Sequence, residues 1–152
     1  MKKYKVAILG ATGAVGREMM KVLAERDFPA EELHLLASER SVGQVLPWKG
    51  QDIAVELACD EAFEGMDIVL GAAENDIAKR FAPAIVRSGA VFVDNSSAFR
   101  MDPDVPLVIP EINPEDAGKH KGIIANPNCT TIVSLVAINA LNQDSPIESI
   151  VA

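Results

Sequence analysis

Hydrophobic residues along this chain come in short continuous runs, separated by stretches in which they recur every three or four positions. Tyr4 to Leu9 (YKVAIL) is the first run, short and β-rich, and it feeds directly into Gly10-Ala-Thr-Gly13-Ala-Val-Gly16. Val15, Met19, Val22 and Leu23 then take helical spacing with Arg17, Glu18 and Lys21 between them, and Phe28-Pro29 ends that helix. Glu32 to Ala37 (ELHLLA) reads as a second strand, completing a βαβ unit of the length a parallel crossover needs. A polar loop from Ser38 to Gly43 precedes a weaker β stretch at Ile53 to Leu57 and a buried strand at Asp67 to Ala72 (DIVLGA). Ile77, Phe81 and Ile85 form a helical stripe, in which Pro83 implies a kink or an early helix start. Ser88-Gly89 closes that helix, and Ala90 to Asp94 (AVFVD) is the next strand.

The proline-rich run from Asp102 to Pro114 is expected to be extended or looped, because a residue before proline resists the α region. Gly122 to Ala125 (GIIA) reads as another strand. Thr130 to Leu141 is apolar on nearly every face, the pattern of a buried helix. Ile147 to Ala152 (IESIVA) reads as a strand that is only beginning, so the chain is expected to be a fragment of a longer one. Strands alternating with helices predict an α/β fold, a Rossmann-like doubly wound, mostly parallel sheet with helices on both faces.

Composition narrows the picture. The 152 residues are 49% hydrophobic and 24% charged, the balance of a soluble globular chain with one real core. Twenty-two acidic against 14 basic side chains give a formal charge of -8, which argues against a nucleic-acid partner. The apolar stretch after Met1-Lys2-Lys3 is too short for a signal-peptide core or a membrane span, so the reading is cytoplasmic. Two cysteines, Cys59 and Cys129, do not suggest a disulfide framework and are expected to be reduced.

The first candidate chemistry is the glycine turn. Gly10, Gly13 and Gly16 have the spacing GxxGxxG between a strand and a helix. Such a turn lets a diphosphate approach the backbone and meet the free N–H groups of the helix start. Gly10, Thr12, Gly13, Ala14, Val15 and Gly16 are therefore candidate dinucleotide-binding residues, against the alternative of a plain glycine-rich turn. At the end of the second strand, Ser38, Arg40 and Ser41 offer two hydroxyls and a guanidinium to a 2′-phosphate, which selects NADP over NAD. Glu39 speaks the other way, and a solvated polar loop is the alternative.

The second is Asn126-Pro127-Asn128-Cys129-Thr130-Thr131. A cysteine opening a helix has its thiolate stabilised by the helix dipole and free N–H groups, and a thiolate attacks activated acyl groups. The Asn128 amide can donate to an oxyanion or a phosphate. Cys59, beside Asp60, Glu61 and Glu64, sits where a thiolate is disfavoured and reads as a small semi-buried residue. The third is Asp94-Asn95-Ser96-Ser97-Ala98-Phe99-Arg100 at the carboxyl edge of a strand, with Arg100 as an anion clamp or a surface arginine beside a capped turn. His34 and His120 lack metal-ligand spacing, and no metal is expected.

GATGAVG, SERS, DNSSAFR and NPNCTT in this order resemble the N-terminal part of the aspartate-β-semialdehyde dehydrogenase family, from Lys5 to the end. The resemblance implies NADPH-dependent reductive dephosphorylation of aspartyl β-phosphate to aspartate semialdehyde, on the path to lysine, threonine and methionine. It implies Cys129 as the nucleophile that becomes acylated. Gly10 to Gly16 would hold the dinucleotide, Ser38, Arg40 and Ser41 the 2′-phosphate, and Arg100 with Asn128 the substrate phosphate. It also implies an NADP-binding domain over 1–127 and, over 128–152, the opening of a catalytic and dimerisation domain that is cut short. Family members carry a general-base histidine, a glutamine and an arginine beyond this stretch. The 152 residues alone are thus expected not to turn over, and the longer enzyme is expected to be a homodimer. Two other readings stand beside this one, a reductase acting on N-acetylglutamyl phosphate and a non-catalytic dinucleotide-binding module.

Overall fold

The computed structural model describes residues 2–151. Seven strands form a single sheet, β1 (Tyr4–Leu9), β2 (Ala30–Ala37), β3 (Val45–Trp48), β4 (Gln51–Leu57), β5 (Ile68–Gly71), β6 (Val91–Asp94) and β7 (Ile123–Ala125). Three α-helices accompany it, α1 (Ala14–Glu25), α2 (Asn75–Arg87) and α3 (Cys129–Asp144). The strand order is β3-β4-β2-β1-β5-β6-β7, and every pairing is parallel except that of β3 with β4. From β1 the chain first builds outward through β2 and β4, then returns to build the other way through β5, β6 and β7. The reversal lies between β1 and β5, where open α/β sheets bind their ligands.

A parallel sheet is covered on both faces, so its strands bury alternate residues in two separate cores. Val6 and Ile8 of β1 pack with Leu33 and Leu35 of β2 and Met20 of α1 on one face. Ala7 and Leu9 pack with Phe81 and Ile85 of α2, Phe63 and Phe92 on the other. Strand β1 therefore reads as a continuous apolar run rather than an alternation.

The third strand was not legible as one, since Pro47 lies in it. It pairs antiparallel with β4 at the edge of the sheet, where a missing N–H costs little. Lys49 and Gly50, both at positive φ, join β3 to β4 in a two-residue turn of the primed kind. Helix α2 carries Pro83 inside it and continues for four residues beyond, to Arg87. Pro83 is exposed there, so the Lys79 carbonyl that loses its helical partner can meet water.

Two expectations are corrected. Helix α3 exists, but none of its residues is buried, and Val133 and Leu141 are 74% and 65% exposed. An all-round apolar helix is buried only where something covers each face, and this sheet covers none of α3 fully. Residues 147–151 form no strand; Ala152 lies outside the described residues. The Ile147 N–H donates to Asn142 Oδ1 at 2.9 Å, which ties the segment back to α3.

Candidate active site

At the carboxyl end of β1 the chain turns sharply. Gly10 has φ +88°, and a Cβ there would sit 2.8 Å from the Ala72 carbonyl oxygen at the end of β5. The turn is thus pressed into the switch point of the sheet by a residue without a side chain. The Gly10 and Ala11 N–H groups both donate to the Leu36 carbonyl, at 2.8 and 3.2 Å, tying the turn to β2. Gly16, one turn into α1, lies so close to this loop that a Cβ would stand 2.5 Å from the Gly10 oxygen.

Gly13 caps α1 without any side-chain hydrogen bond, so the first-turn N–H groups of the helix remain open to an anion. Ala14 and Val15, the first two residues of α1, are exposed beside them. Thr12 faces the loop after β2, and its hydroxyl donates to Ser41 Oγ at 3.3 Å. Ser38 and Arg40 of that loop are exposed and Ser41 is half-buried, in a short 3₁₀ turn spanning Glu39–Ser41. The fold therefore brings together, from two segments, the glycine turn and the hydroxyl-and-guanidinium loop. A cradle that a Cβ would fill, an uncapped helix start and a loop of phosphate donors fit a dinucleotide.

A second cluster lies at the carboxyl ends of β6 and β7. Asp94 and Ala125 are register partners, so the residues that follow them, Asn95 and Asn126, leave the sheet side by side. Their side-chain amides are hydrogen bonded to one another, Asn126 Nδ2 donating to Asn95 Oδ1. Arg100 is laid across both loops, with Nε donating to the Asn126 carbonyl at 2.9 Å and Nη2 to the Asn95 carbonyl at 2.8 Å. Among the described residues the remaining guanidinium N–H groups have no partner, which leaves them as donors for an anion. The carboxylate of Asp94, fully buried, accepts from the Ser96 N–H at 3.2 Å and hydroxyl at 2.5 Å, which fixes the same loop from below.

Asn128 is the N-cap of α3. Its Oδ1 accepts from the Thr130 N–H at 2.9 Å, which leaves its amide nitrogen as a donor. Cys129 is exposed as the first residue of the helix. A cavity of about 490 Å³ joins the pieces, its wall including Val15 and Met19 of α1 together with Asn95, Arg100, Asn128 and Cys129. The thiol, an arginine and an amide donor thus share one cavity with the first turns of the helix that follows the glycine loop.

Cys59 stands apart at the start of a 3₁₀ turn, Asp60–Phe63, and is half-buried. The Glu61 carboxyl is held below its usual range by its own backbone N–H and by the Cys59 thiol. His34 lies between Glu56 and Glu32 on the sheet, and His120 accepts from the Gly122 N–H. Reading the motifs singly did not bring out Asn95 and Asn126 as a pair. The signal was available in their positions, each one residue past the end of a strand in two strands that pair.

A mostly parallel sheet, with a glycine turn opening a helix at its switch point, defines a dinucleotide-binding α/β domain of the Rossmann type. Residues 5–120 match the family described as semialdehyde dehydrogenase, NAD binding domain, and the chain belongs to that family. It is 57% identical to an aspartate-semialdehyde dehydrogenase of Synechocystis sp. over 147 residues, 97% of this chain and 44% of that relative. A crystal structure of aspartate semialdehyde dehydrogenase II from Vibrio cholerae complexed with ASA superposes with a TM-score of 0.92 at 44% identity. The match covers 97% of this chain and 49% of that one. The structure of aspartate semialdehyde dehydrogenase with NADP from Candida albicans is similar at a TM-score of 0.76 and 30% identity, over 95% and 48% of the two chains. The chain therefore spans less than half the length of these relatives.

Proposed function

We propose that this chain is the NADP-binding portion of an aspartate-semialdehyde dehydrogenase, and that Cys129 is the nucleophile of its reaction. The observation that carries the reading is the shared cavity, in which Cys129, Asn128 and Arg100 meet the first turns of α1. In this reading Gly10, Thr12, Gly13, Ala14, Val15 and Gly16 hold the diphosphate, and Ser38, Arg40 and Ser41 the 2′-phosphate. Residues 1–127 form the nucleotide-binding unit, and 128–152 open the catalytic and dimerisation unit. The full enzyme would be a cytoplasmic homodimer serving lysine, threonine and methionine synthesis.

The chemistry follows from the donors in place. The Cys129 thiolate attacks the acyl carbon of aspartyl β-phosphate, the new S–C bond replaces the C–O bond to phosphate, and inorganic phosphate leaves. Arg100 is pre-oriented by its two backbone carbonyls, so its free N–H groups meet the phosphate without reorganising. The amide nitrogen of Asn128, which lines the same cavity, would offer its donors to the leaving group while its oxygen holds the helix start. A reduced dinucleotide bound here would supply hydride to the acyl carbon, and cleavage of the C–S bond would then release the aldehyde and return the Cys129 thiolate.

Calorimetric titration of the chain with NADP⁺ and NAD⁺ tests the cofactor half, with NADP⁺ expected to bind more tightly. Arg40→Ala should weaken NADP⁺ binding by roughly 10- to 100-fold, the worth of one charge-assisted phosphate contact, and leave NAD⁺ binding little changed. Equal affinity for both dinucleotides would refute the NADP assignment. Intact-mass detection of an acyl adduct on Cys129 after incubation with aspartyl phosphate tests the other half, and its absence in Cys129→Ser is the control.

A further inference from the structure

We infer that Arg17 is a second cationic reader of the 2′-phosphate, and so helps to set the preference between phosphorylated and unphosphorylated dinucleotides. The inference rests on the dinucleotide reading above and adds a residue from a different element. Arg17 belongs to α1, while Arg40 belongs to the loop after β2. Its side chain curls back along the helix, and Nε donates to the carbonyl oxygen of Thr12 at 3.1 Å. That same Thr12 donates its hydroxyl to Ser41 Oγ. A short chain of contacts therefore runs from Arg17 through Thr12 to the loop of Ser38, Arg40 and Ser41.

Charge and donor count point the same way. Among the described residues Lys5, Lys21, Lys49, Arg87, Lys119 and Lys121 are each paired with a carboxylate. Arg17 and Arg40 form no ion pair among those residues, as Lys2, Lys3, Arg26, Lys79, Arg80 and Arg100 also do not, but they alone of these eight are linked to Ser41, Arg17 through Thr12 and Arg40 as its chain neighbour. In a chain of net charge -8, Arg17 on α1 and Arg40 in the loop supply two guanidinium groups for a dianion, with Glu39 of the same loop as the opposing charge. A guanidinium has five N–H donors. Among the described residues only Nε of Arg17 is engaged, so both terminal nitrogens remain for bidentate contact with phosphate oxygens, and the bond to Thr12 holds their plane at the turn. NAD offers a ribose hydroxyl at this place and would gain little from the same group.

The test is a binding titration of the 152-residue chain with NADP⁺ and NAD⁺, in wild type, Arg17→Ala, Arg17→Lys and the double variant Arg17→Ala/Arg40→Ala. Arg17→Ala should weaken NADP⁺ binding by roughly tenfold and leave NAD⁺ binding within about twofold, since the lost interaction is one charge-assisted contact. Arg17→Lys should recover part of the loss, because it keeps the charge without the planar fork. The double variant should bind the two dinucleotides about equally. Unchanged NADP⁺ affinity in Arg17→Ala overturns the role of Arg17, and so does an equal loss for both dinucleotides, which would mark a purely structural contact to the turn. Retained NAD⁺ binding shows that the variant is folded. A wild-type chain that binds neither dinucleotide would overturn the cofactor reading itself and this inference with it.

Discussion

Two strand-to-helix turns at the same edge of this sheet start from similar geometry and end in different chemistry. The turn after β1 enters α1 through Gly13, which offers no side chain to the helix start. The turn after β7 enters α3 through Asn128, whose side chain satisfies the Thr130 N–H. The first helix start is left without a side-chain cap, while the second is closed by its own residue and presents a thiol. Their packing differs as sharply. Helix α1 presses Gly16 into the turn and Met20 into the core, whereas α3 buries nothing. A glycine start is useful only if the helix is wedged against the sheet, because the backbone must be held still where the anion lands. A capped start can hold its reactive residue by local hydrogen bonds alone.

If that contrast is right, the largest effect comes from filling the wedge. Gly16→Val would drive a side chain into the Gly10 carbonyl, where backbone cannot yield, and should cost about 3 kcal/mol. Thermal unfolding should then fall by roughly 6–12 °C, with dinucleotide binding lost alongside. A melting point near that of the wild type would show that α1 is not wedged. The two thiols sharpen the other side of the comparison. Limiting iodoacetamide should label exposed Cys129 on the order of tenfold faster than half-buried Cys59, whose thiol is engaged with Glu61. Peptide mass mapping reads the order, and equal labelling would deny Cys129 a reactive placement.

Opening the closed helix start should matter less. Asn128→Ala removes one capping bond and should cost about 1 kcal/mol, seen as faster amide exchange over the first turn of α3 and not elsewhere. The smallest effect belongs to the uncovered helix face. Val133→Asp, at a position 74% exposed, should move stability of this chain by less than about 0.5 kcal/mol. A large loss on unfolding would mean that α3 is covered after all.

The sequence by itself determined the α/β alternation, since a strand buried on both faces must read as a continuous apolar run, as Val6 to Leu9 does. It also determined the local chemistry of each motif, because the glycine spacing, the serine–arginine loop and the cysteine at a helix start are properties of neighbouring residues. It misread α3 as buried, because an all-round apolar pattern records that a helix seeks cover without saying what supplies it. It passed over β3, since Pro47 is tolerated only at a sheet edge and edges are not visible in one dimension. Tertiary structure alone decided which motifs meet. Thr12 reaches Ser41 across 29 positions, and Asn95 reaches Asn126 across 31. Such contacts depend on strand order and register, which are fixed by how β1, β2, β6 and β7 pair in space, and no periodicity along the chain encodes that pairing.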